Sequence, residues 1–316
     1  MNFYPDLLCP ECKFELIKHA NYFVCERCNH KYLIINGIIA LLEDFSCSNF
    51  TSSEKELSIL IPTKNESANI EILLCGVKNE LSKLNIVNYE IIIVDDSTDN
   101  TKEIAKKQGA AVVVQTEKGY GNALKEGFKK SKGKYILTMD ADFSHCPSFI
   151  KNLFENKNNA DLLIASRYIK GGKMVSSLYR FYLSYISNRI FSFLLSLKIK
   201  DISGGFRLYK SKVLEEIKLE STGYEILEEL IVKIYSQGYG ILEVPFEYQP
   251  RKAGKSKMKL FKLALNFFIN FIKMWYLRNS VNCCDYDERA YNSWIPLQRY
   301  WQRKRYKIIM NFLDKK

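Results

Sequence analysis

The stretch Tyr135-Ile136-Leu137-Thr138-Met139-Asp140-Ala141-Asp142 is a mainly apolar run that ends in two carboxylates. Two similar runs precede it, at residues 57–61 and 89–94, and both lead into polar and acidic residues. Segments with the periodicity of helices separate the three runs. Continuous apolar strands that alternate with helices indicate a parallel sheet covered on both faces. The sequence therefore predicts an α/β fold for the middle of the chain.

Polar residues gather where three of the predicted strands end. They are Pro62-Thr63-Lys64-Asn65-Glu66, Asp95-Asp96-Ser97-Thr98-Asp99 and Asp140-Ala141-Asp142. Ligands of open parallel sheets bind outside these carboxyl ends, and clustered carboxylates repel each other unless a cation compensates. Mg²⁺ and Mn²⁺ favour one or two carboxylates together with phosphate oxygens and water. An isolated Asp-x-Asp is also typical of capping, but the three strand ends together predict a site for a nucleotide sugar.

Further motifs extend this pattern in a fixed order. They are Lys118-Gly119-Tyr120-Gly121-Asn122-Ala123, Ser166-Arg167-Tyr168, Asp201-Ile202-Ser203-Gly204-Gly205-Phe206-Arg207-Leu208-Tyr209 and Arg251-Lys252-Ala253-Gly254-Lys255-Ser256-Lys257. With the strand ends, they resemble the dolichol-phosphate mannosyltransferase branch of glycosyltransferase family 2 over about residues 57–260. The resemblance implies a GT-A fold, in which a Rossmann-like, mostly parallel sheet carries helices on both faces.

The resemblance also implies roles for single residues. The family positions that hold the base and the ribose are matched by Pro62, Glu66, Val94 and Asp96. The basic positions near the phosphates are matched by Arg167, Arg251 and Lys257. Asp140 and Asp142 match the site of the Mg²⁺ or Mn²⁺ ion and the diphosphate, and Ala141 contributes its backbone.

The implied reaction is an inverting transfer of a hexose to a polyprenyl or dolichyl phosphate. Because that phosphate is already ionised near neutral pH, no strong general base is required. We assign catalysis to Asp142, Arg207 and Lys257, and acceptor binding to Ser184, Asn188 and Arg207. Alternatively, Arg207 pairs with Asp201. Glu229, on the predicted helix after Gly223-Tyr224, is either a functional carboxylate or a structural salt-bridge partner.

The sequence does not identify the donor sugar. GDP-mannose is our first choice, and UDP-glucose or another donor of the same family is the alternative. Lys64 stands where the family often has an aromatic residue, and Ser184-Tyr185 stands where the family has a Ser-Arg pair. These departures bear on base stacking, sugar choice and lipid binding.

Two Cys-x-x-Cys pairs stand near the N-terminus, at Cys9-Pro10-Glu11-Cys12 and Cys25-Glu26-Arg27-Cys28. Two such turns supply the four thiolates of a tetrahedral structural zinc site, whereas four unrelated thiols would not need the paired spacing. The zinc ligands are therefore predicted to be Cys9, Cys12, Cys25 and Cys28. Asn36-Gly37 between two β-rich runs predicts a hairpin. Residues 1–45 resemble zinc-ribbon modules related to the small activator subunit of tRNA methyltransferases, and 46–56 form a polar linker.

The C-terminal part is strongly basic, since residues 251–316 hold 16 Lys and Arg against 4 Asp and Glu and account for the whole net charge of +12. Such a block contacts anionic lipid or nucleic acid, or is a solvated face. In residues 259–277 the polar side chains fall within about 80° of a helical wheel; they are Lys259, Lys262, Asn266, Asn270 and Lys273. This pattern predicts a helix in the membrane interface whose Lys residues reach head groups, with a helix packed on the catalytic domain as the alternative.

Residues 178–197 form either a second interfacial element or a core helix, and residues 285–306 predict a basic helical tail. The predicted parts are thus a zinc ribbon at 1–45, a linker at 46–56, a GT-A domain at 57–258, and an interfacial helix with a tail at 259–316. The N-terminus lacks a basic region followed by an apolar run, which predicts a protein on the cytoplasmic face of the membrane. Nucleic acid is not an expected partner. The competing hypothesis is a zinc-ribbon interaction protein with a degenerate GT-A domain.

Overall fold

A computed structural model describes residues 16–18, 22–25, 27, 31–35, 38–39, 55–249, 260–280, 282–293 and 296–313. The chain divides into two compact units, Met1–Glu54 and Lys55–Lys316.

The first unit contains an antiparallel sheet in the order β1-β2-β3-β4. Its strands are β1 Leu16–Lys18, β2 Tyr22–Cys25, β3 Lys31–Ile35 and β4 Ile38–Ile39. The predicted hairpin is confirmed, because Ile35 pairs with Ile38 across β3 and β4. Cys25 is buried at the end of β2, whereas Cys9, Cys12 and Cys28 lie outside the described residues. The four-cysteine zinc site therefore stays a prediction.

The second unit is built on a seven-stranded sheet in the order β12-β9-β11-β8-β5-β6-β7. Its strands, together with the short pair β10 and β13, are β5 Lys55–Thr63, β6 Tyr89–Asp95, β7 Ala111–Val114, β8 Gly133–Thr138, β9 Leu162–Ser166, β10 Lys173–Met174, β11 Arg207–Lys210, β12 Ile241–Pro245 and β13 Glu247–Tyr248. The predicted parallel pairing is confirmed for β5 with β6 and β8 and for β6 with β7, and β9 also pairs parallel with β12.

Helices cover both faces of this sheet. They are α1 Ile70–Lys83, α2 Thr101–Lys107, α3 Tyr120–Lys130, α4 Ile150–Glu155, α5 Leu178–Leu194, α6 Ser211–Glu215, α7 Ile226–Ser236, α8 Leu260–Arg278, α9 Tyr286–Tyr291 and α10 Pro296–Leu313. Side chains alternate across each strand, so Ile59 and Ile61 join the core on one face while Leu60 joins the core on the other. This explains why the strand sequences are apolar throughout.

One central strand runs against its neighbours. β11 pairs antiparallel with both β8 and β9, and Arg207 at its start lies opposite Thr138 at the end of β8. The chain therefore enters β11 at the carboxyl edge of the parallel strands. This reversal brings residues 201–206 beside the acidic turn that follows β8.

The C-terminal helices belong to the same compact unit as the sheet, although the sequence predicts a domain boundary at residue 258. Asn270, Met274 and Arg278 of α8 are buried, and Asn270 contacts α7. The Arg278 guanidinium donates to Leu195 O at 2.9 Å and pairs with Asp285 at 2.7 Å. These contacts fix α8 and the start of the tail on the catalytic unit. No helix in the described part of the chain is both long and apolar enough to cross a membrane.

Candidate active site

The acidic turn after β8 is tightly held. Asp142 is 5% exposed, and its Oδ1 accepts the backbone N–H of Ser144 at 3.0 Å. Phe143 between them has a φ of 64°, in the left-handed region that L-residues seldom adopt. The backbone N–H of Asp140 donates to Nδ1 of buried His145 at 2.8 Å. The turn thus presents Asp140 and Asp142 from one short, rigid segment.

The Asp140 carboxylate is closely surrounded. The Tyr120 hydroxyl lies 3.5 Å from its Oδ1, and the ring of Tyr120 stacks on Tyr224 with centroids 4.5 Å apart. A Cβ at Gly205 would lie 2.9 Å from the Tyr120 hydroxyl and 3.7 Å from Asp140 Oδ1, so only glycine leaves room there. Burial lowers the pKa of His145 although Asp140 opposes this shift. His145 is therefore neutral and able to accept the Asp140 N–H.

The loops after β5 and β6 are linked to each other. The Asn65 N–H donates to Ser97 Oγ at 2.7 Å, and Asn65 Oδ1 accepts the Thr98 N–H at 2.8 Å. Thr63 Oγ1 also donates to Asp95 Oδ1 at 2.6 Å. Asn65 has a φ of 52°, which asparagine tolerates better than most residues. These bonds make one rigid rim from two strand ends.

The residues predicted to hold the nucleoside lie along this rim. Pro62 and Val94 are paired in the register of β5 and β6. Glu66 Oε2 accepts Asn69 Nδ2 at 2.8 Å. Asp96 forms an ion pair with Lys64, whose side chain is 53% exposed. The structure thus brings these predicted residues to adjoining loops, and an arriving nucleoside would meet the Lys64–Asp96 pair.

The sheet that carries this acidic turn is similar to the sheets of known proteins. The family described as Glycosyl transferase family 2 matches residues 58–218 of this chain. The chain belongs to glycosyl transferase family 2. Its sheet is accordingly the GT-A-like core of a glycosyltransferase domain, as the sequence motifs predict.

Two curated relatives of this glycosyltransferase domain have names that describe transfer to lipid phosphates. The dolichol-phosphate mannosyltransferase of Pyrococcus furiosus is 39% identical over 217 residues, which cover 65% of this chain and 59% of that protein. The polyprenol monophosphomannose synthase of Mycolicibacterium smegmatis is 34% identical over 215 residues, covering 63% of this chain and 80% of that protein. The chain thus spans less than two thirds of the Pyrococcus relative.

A solved structure shares the fold. Glucosyl-3-phosphoglycerate synthase from Mycobacterium tuberculosis, in complex with Mn²⁺ and UDP-glucose, superposes with a TM-score of 0.57 over 70% of this chain and 79% of that chain. At 18% identity this likeness describes the fold of the glycosyltransferase domain alone.

The donor set of the acidic turn suits a hard divalent cation. Asp140 and Asp142 offer carboxylate oxygens, the ligands that Mg²⁺ and Mn²⁺ prefer. Within the part of the chain that the structure describes, no three His, Cys, Asp or Glu side chains are grouped as a complete metal site. Mg²⁺ bound by one or two carboxylates usually completes its coordination with substrate phosphates and water. That arrangement is typical of a nucleotide site.

Asn188 of α5 holds the loop between Asp201 and Gly205. Its Oδ1 accepts the backbone N–H groups of Ile202 at 2.7 Å and Ser203 at 3.0 Å, and its Nδ2 donates to Ser203 Oγ at 3.0 Å. Ser184, one turn earlier, accepts the Tyr168 hydroxyl at 2.7 Å. Asn188 thus contacts the loop itself, and Ser184 lies beside it, 3.4 Å from Asn188 Nδ2 and bound to Tyr168.

Arg207 is buried beneath the loop between Asp201 and Gly205, and its side chain binds the backbone of that loop. Its side chain is fully buried, with 0% exposure. Its Nε, Nη1 and Nη2 donate to the carbonyls of Gly204, Leu227 and Ile202 at 2.7, 2.8 and 2.6 Å. These contacts contradict the prediction that Arg207 binds the acceptor phosphate and acts in catalysis. Its guanidinium is consumed by backbone carbonyls that burial would otherwise leave unsatisfied.

Arg167 forms the ion pair with Asp201 that was the alternative role for Arg207. Its Nη2 and Nε lie 2.6 and 2.7 Å from the two oxygens of Asp201, and Nη2 also donates to Ser203 Oγ at 2.8 Å. Burial alone would lower the pKa of Arg167, but the Asp201 carboxylate raises it above the usual range. Arg167 is 11% exposed and stays charged beside the loop. Arg251 and Lys257, predicted to lie near the phosphates, fall outside the described residues.

Hydrogen bonds and close contacts also define the roles of Gly121 and Glu229. The N–H of Gly121 donates to Thr222 O at 2.9 Å, and a Cβ there would lie 2.7 Å from Ser221 O. This glycine therefore admits a neighbouring loop. Glu229 accepts the Ser221 N–H at 2.8 Å and pairs with Lys233 at 2.6 Å, which confirms its structural role.

The sequence motifs indicate no individual role for Tyr120, Gly205 or His145. Tyr120 and Gly205 lie in quoted motifs and His145 follows Asp142 by three residues, but their meeting at Asp140 depends on contacts across as many as 85 residues. No local spacing signals that meeting. The two tyrosines of the motifs at 118–123 and 223–224 were the available hint.

Helix α5 buries two polar side chains, although Arg180 and Arg189 on the same helix are exposed. Only Asn188 and Ser192 of this helix are buried, so the core-helix alternative is wrong for most of residues 178–194, whereas Leu195 and Leu197 do join the core. The apolar face of α5 comprises side chains that are each at least 50% exposed: Leu178, Tyr179, Tyr182, Leu183, Ile186, Ile190 and Phe193.

Helix α8 likewise exposes apolar side chains, while its polar stripe divides between buried Asn270 and exposed Lys273. Its apolar face comprises side chains that are 45–73% exposed: Phe268, Ile269, Ile272, Trp275 and Tyr276. Asn270 is 5% exposed and donates to Glu228 Oε2 at 3.1 Å. The prediction that the stripe containing Asn270 faces outward is therefore wrong at that position. α5 and α8 touch through Phe191 and Phe271, whose ring centroids are 5.4 Å apart.

Proposed function

We propose that this protein transfers a hexose, with mannose as first choice, from a nucleotide diphosphate sugar to a polyprenyl phosphate at a membrane surface. Transfer would invert the configuration at the anomeric carbon. UDP-glucose or another donor used within the family is the alternative to GDP-mannose.

One observation carries the proposal: the loop from Asp201 to Gly205 joins the acidic turn to an exposed apolar helix. Gly205 approaches Asp140 at one end of the loop, and Asn188 of α5 binds Ser203 at the other. Two residues span at most about 7 Å. A ligand with an anionic head and an apolar tail fits this layout, because the head reaches the donor site while the tail lies along α5.

The chain's own residues would provide positioning and charge. Asp140 and Asp142 would hold Mg²⁺ or Mn²⁺, which stabilises the charge on the departing nucleoside diphosphate. Pro62, Glu66, Val94 and Asp96 would bind the nucleoside, and the backbone of Ala141 would line the diphosphate. Arg167 would add a fixed positive charge beside the acceptor loop, with Arg251 and Lys257 as further cations near the phosphates. Because a lipid phosphate attacks as an anion, the lack of an obvious base among these residues agrees with the proposal.

The exposed apolar faces of α5 and α8 support a location at the membrane. Exposed apolar side chains on α5 and α8 cost free energy in water, at roughly 25 cal/mol for each Å² left uncovered. Insertion into the head-group region would recover that free energy without a spanning helix. The proposed location is therefore peripheral, on the cytoplasmic face. The names of the two curated relatives, which describe mannose transfer to dolichyl or polyprenyl phosphate, agree with this acceptor.

For the first unit we propose a structural Zn²⁺ held by the two cysteine pairs.

The test is a transfer assay with GDP-mannose, UDP-glucose and other common donors, Mn²⁺ and polyprenyl phosphate. We expect a lipid-linked sugar with at least one donor. Asp142→Asn should abolish transfer and leave the melting temperature unchanged. Asp161→Asn is the matched control, because this Asp pairs with Lys210 away from the acidic turn and should retain activity. Absence of product with every donor, or full activity of Asp142→Asn, would contradict the proposal.

A further inference from the structure

Helix α10 carries a third outward apolar surface, which the family match at residues 58–218 does not include. At about 100° per residue, Leu297, Trp301 and Ile308 fall within about 40° of the helical wheel. They are 67%, 57% and 49% exposed. We call these three residues, together with Lys304 between them, the α10 stripe.

The opposite side of α10 is the one that packs on the protein. Gln302 is 7% exposed and donates to Asp287 Oδ1 of α9 at 2.6 Å. Tyr306 contacts Tyr291 of α9 with ring centroids 5.4 Å apart. α10 is thus anchored by its polar side, and the direction of the α10 stripe follows from these contacts.

Charge identifies the kind of partner. α10 has five cationic residues and no Asp or Glu within its bounds; they are Arg299, Arg303, Lys304, Arg305 and Lys307. Lys304 Nζ lies 5.1 Å from the Trp301 ring and 5.9 Å from the Tyr300 ring. Lys304 therefore places positive charge directly beside the apolar side chains, whereas Arg303 lies over the Tyr291 ring and Arg305 pairs with Asp287. A partner must combine negative charge with an apolar interior.

We propose that the α10 stripe binds an anionic lipid surface. Nucleic acid would use the cations and stack on the aromatic rings, but it offers nothing to the aliphatic side chains of Leu297 and Ile308. A bilayer can bind the aliphatic, aromatic and cationic side chains together. The aliphatic residues and Trp301 enter the acyl boundary, and the cations bind anionic head groups. α10 thereby gives the protein a preference for anionic membranes that does not depend on the acceptor lipid or on transfer.

The test measures partition of the full chain into vesicles without any nucleotide sugar, so that failure of the proposed transfer would not affect it. The vesicles contain phosphatidylcholine alone, or phosphatidylcholine with phosphatidylserine. Lys304→Gln with Lys307→Gln should weaken binding to the anionic vesicles roughly 30-fold, because each cation near an anionic surface contributes about a fivefold change. Binding to the neutral vesicles should not change. Lys129→Gln with Lys130→Gln removes two exposed cations from α3 as the matched control and should bind like wild type.

A spectroscopic readout locates the stripe itself. With Trp275→Phe and Trp294→Phe, Trp301 is the only remaining tryptophan. Its emission should shift to the blue on anionic vesicles and be quenched by lipids brominated on the acyl chain. Three outcomes would overturn the proposal: an equal loss in the Lys129/Lys130 control, a Trp301 signal that stays accessible to iodide on the vesicles, or Trp301 already shielded from iodide without vesicles. Salt-dependent RNA binding without a vesicle effect would assign the surface to nucleic acid instead.

Discussion

Glu228→Gln should stabilise the second unit at neutral and alkaline pH. Glu228 on α7 is 1% exposed, and its Oε1 has no hydrogen-bond partner among the described residues. Burial raises the pKa of Glu228 from 4.5 to about 7, an effect that Asn270 opposes and the Glu225 carboxylate reinforces. Ionisation of this carboxyl in the folded protein is therefore unfavourable.

The size and sign of the effect follow from the two pKa values of Glu228. Between its ordinary value of 4.5 and its folded value of about 7 the folded protein binds the proton more tightly. The stability that Glu228 contributes is thus complete below about pH 4.5 and is lost as the pH rises through about 7. The amide side chain of the Glu228→Gln variant would not ionise. The gain in free energy of unfolding should consequently be about 2.5 kcal/mol larger at pH 8 than at pH 5, at about 1.4 kcal/mol per pKa unit.

Urea unfolding followed by tryptophan fluorescence measures this difference, because all three tryptophans lie within Lys55–Lys316. Glu229→Gln is the matched control, since Glu229 is the next residue and equally buried. Burial alone would raise the pKa of Glu229, but Lys233 and Ser221 lower it below its ordinary value. That variant should lose about 2 kcal/mol at pH 8. The reasoning is refuted if the effect of Glu228→Gln does not change with pH, or if both variants shift stability in the same direction.

Three further predictions concern the loop beside the acidic turn. Gly205→Ala should reduce transfer at least about tenfold, because the added Cβ would lie 2.9 Å from the Tyr120 hydroxyl and displace that group beside Asp140, and ~1 Å displacements near a reacting centre are costly; full activity would show that Tyr120 gives way without disturbing the site. Asn188→Ala should cost about 2–4 kcal/mol in urea unfolding by leaving the Ile202 and Ser203 N–H groups unsatisfied, and an unchanged midpoint would mean that α5 does not hold the loop. Arg207→Lys should cost about 3 kcal/mol in the same assay, since lysine cannot bridge three carbonyls; a raised KM for polyprenyl phosphate with wild-type stability would restore Arg207 as an acceptor residue.

Local sequence was sufficient for the features that depend on local physics. The apolar runs at 57–61, 89–94 and 135–139 all correspond to strands, because a strand buried on both faces must be apolar throughout. The position of Asp140 and Asp142 after β8 follows from the same pattern. The identity of the family was readable because several motifs keep one order along the chain.

The sequence could not supply contacts that depend on how distant segments meet. Both Arg167 and Arg207 were possible partners for Asp201, and the choice depends on how the loop between Asp201 and Gly205 folds. For α8, the helical wheel identified a polar stripe but not its direction. The polar stripe faced inward at Asn270 because the buried carboxyl of Glu228 needs a donor, and that group lies 42 residues earlier.

The antiparallel strand β11 imposes a delay during synthesis of the chain. β8 is complete at Thr138, yet the strand that pairs with its open edge begins only at Arg207. At about 5–20 residues per second, a ribosome needs roughly 3–14 s to supply the intervening segment. Throughout that interval the nascent β8 exposes an unpaired edge of the kind that recruits other strands. A chaperone that shields the growing chain would thus be needed most after β8 has emerged and before β11 has been made.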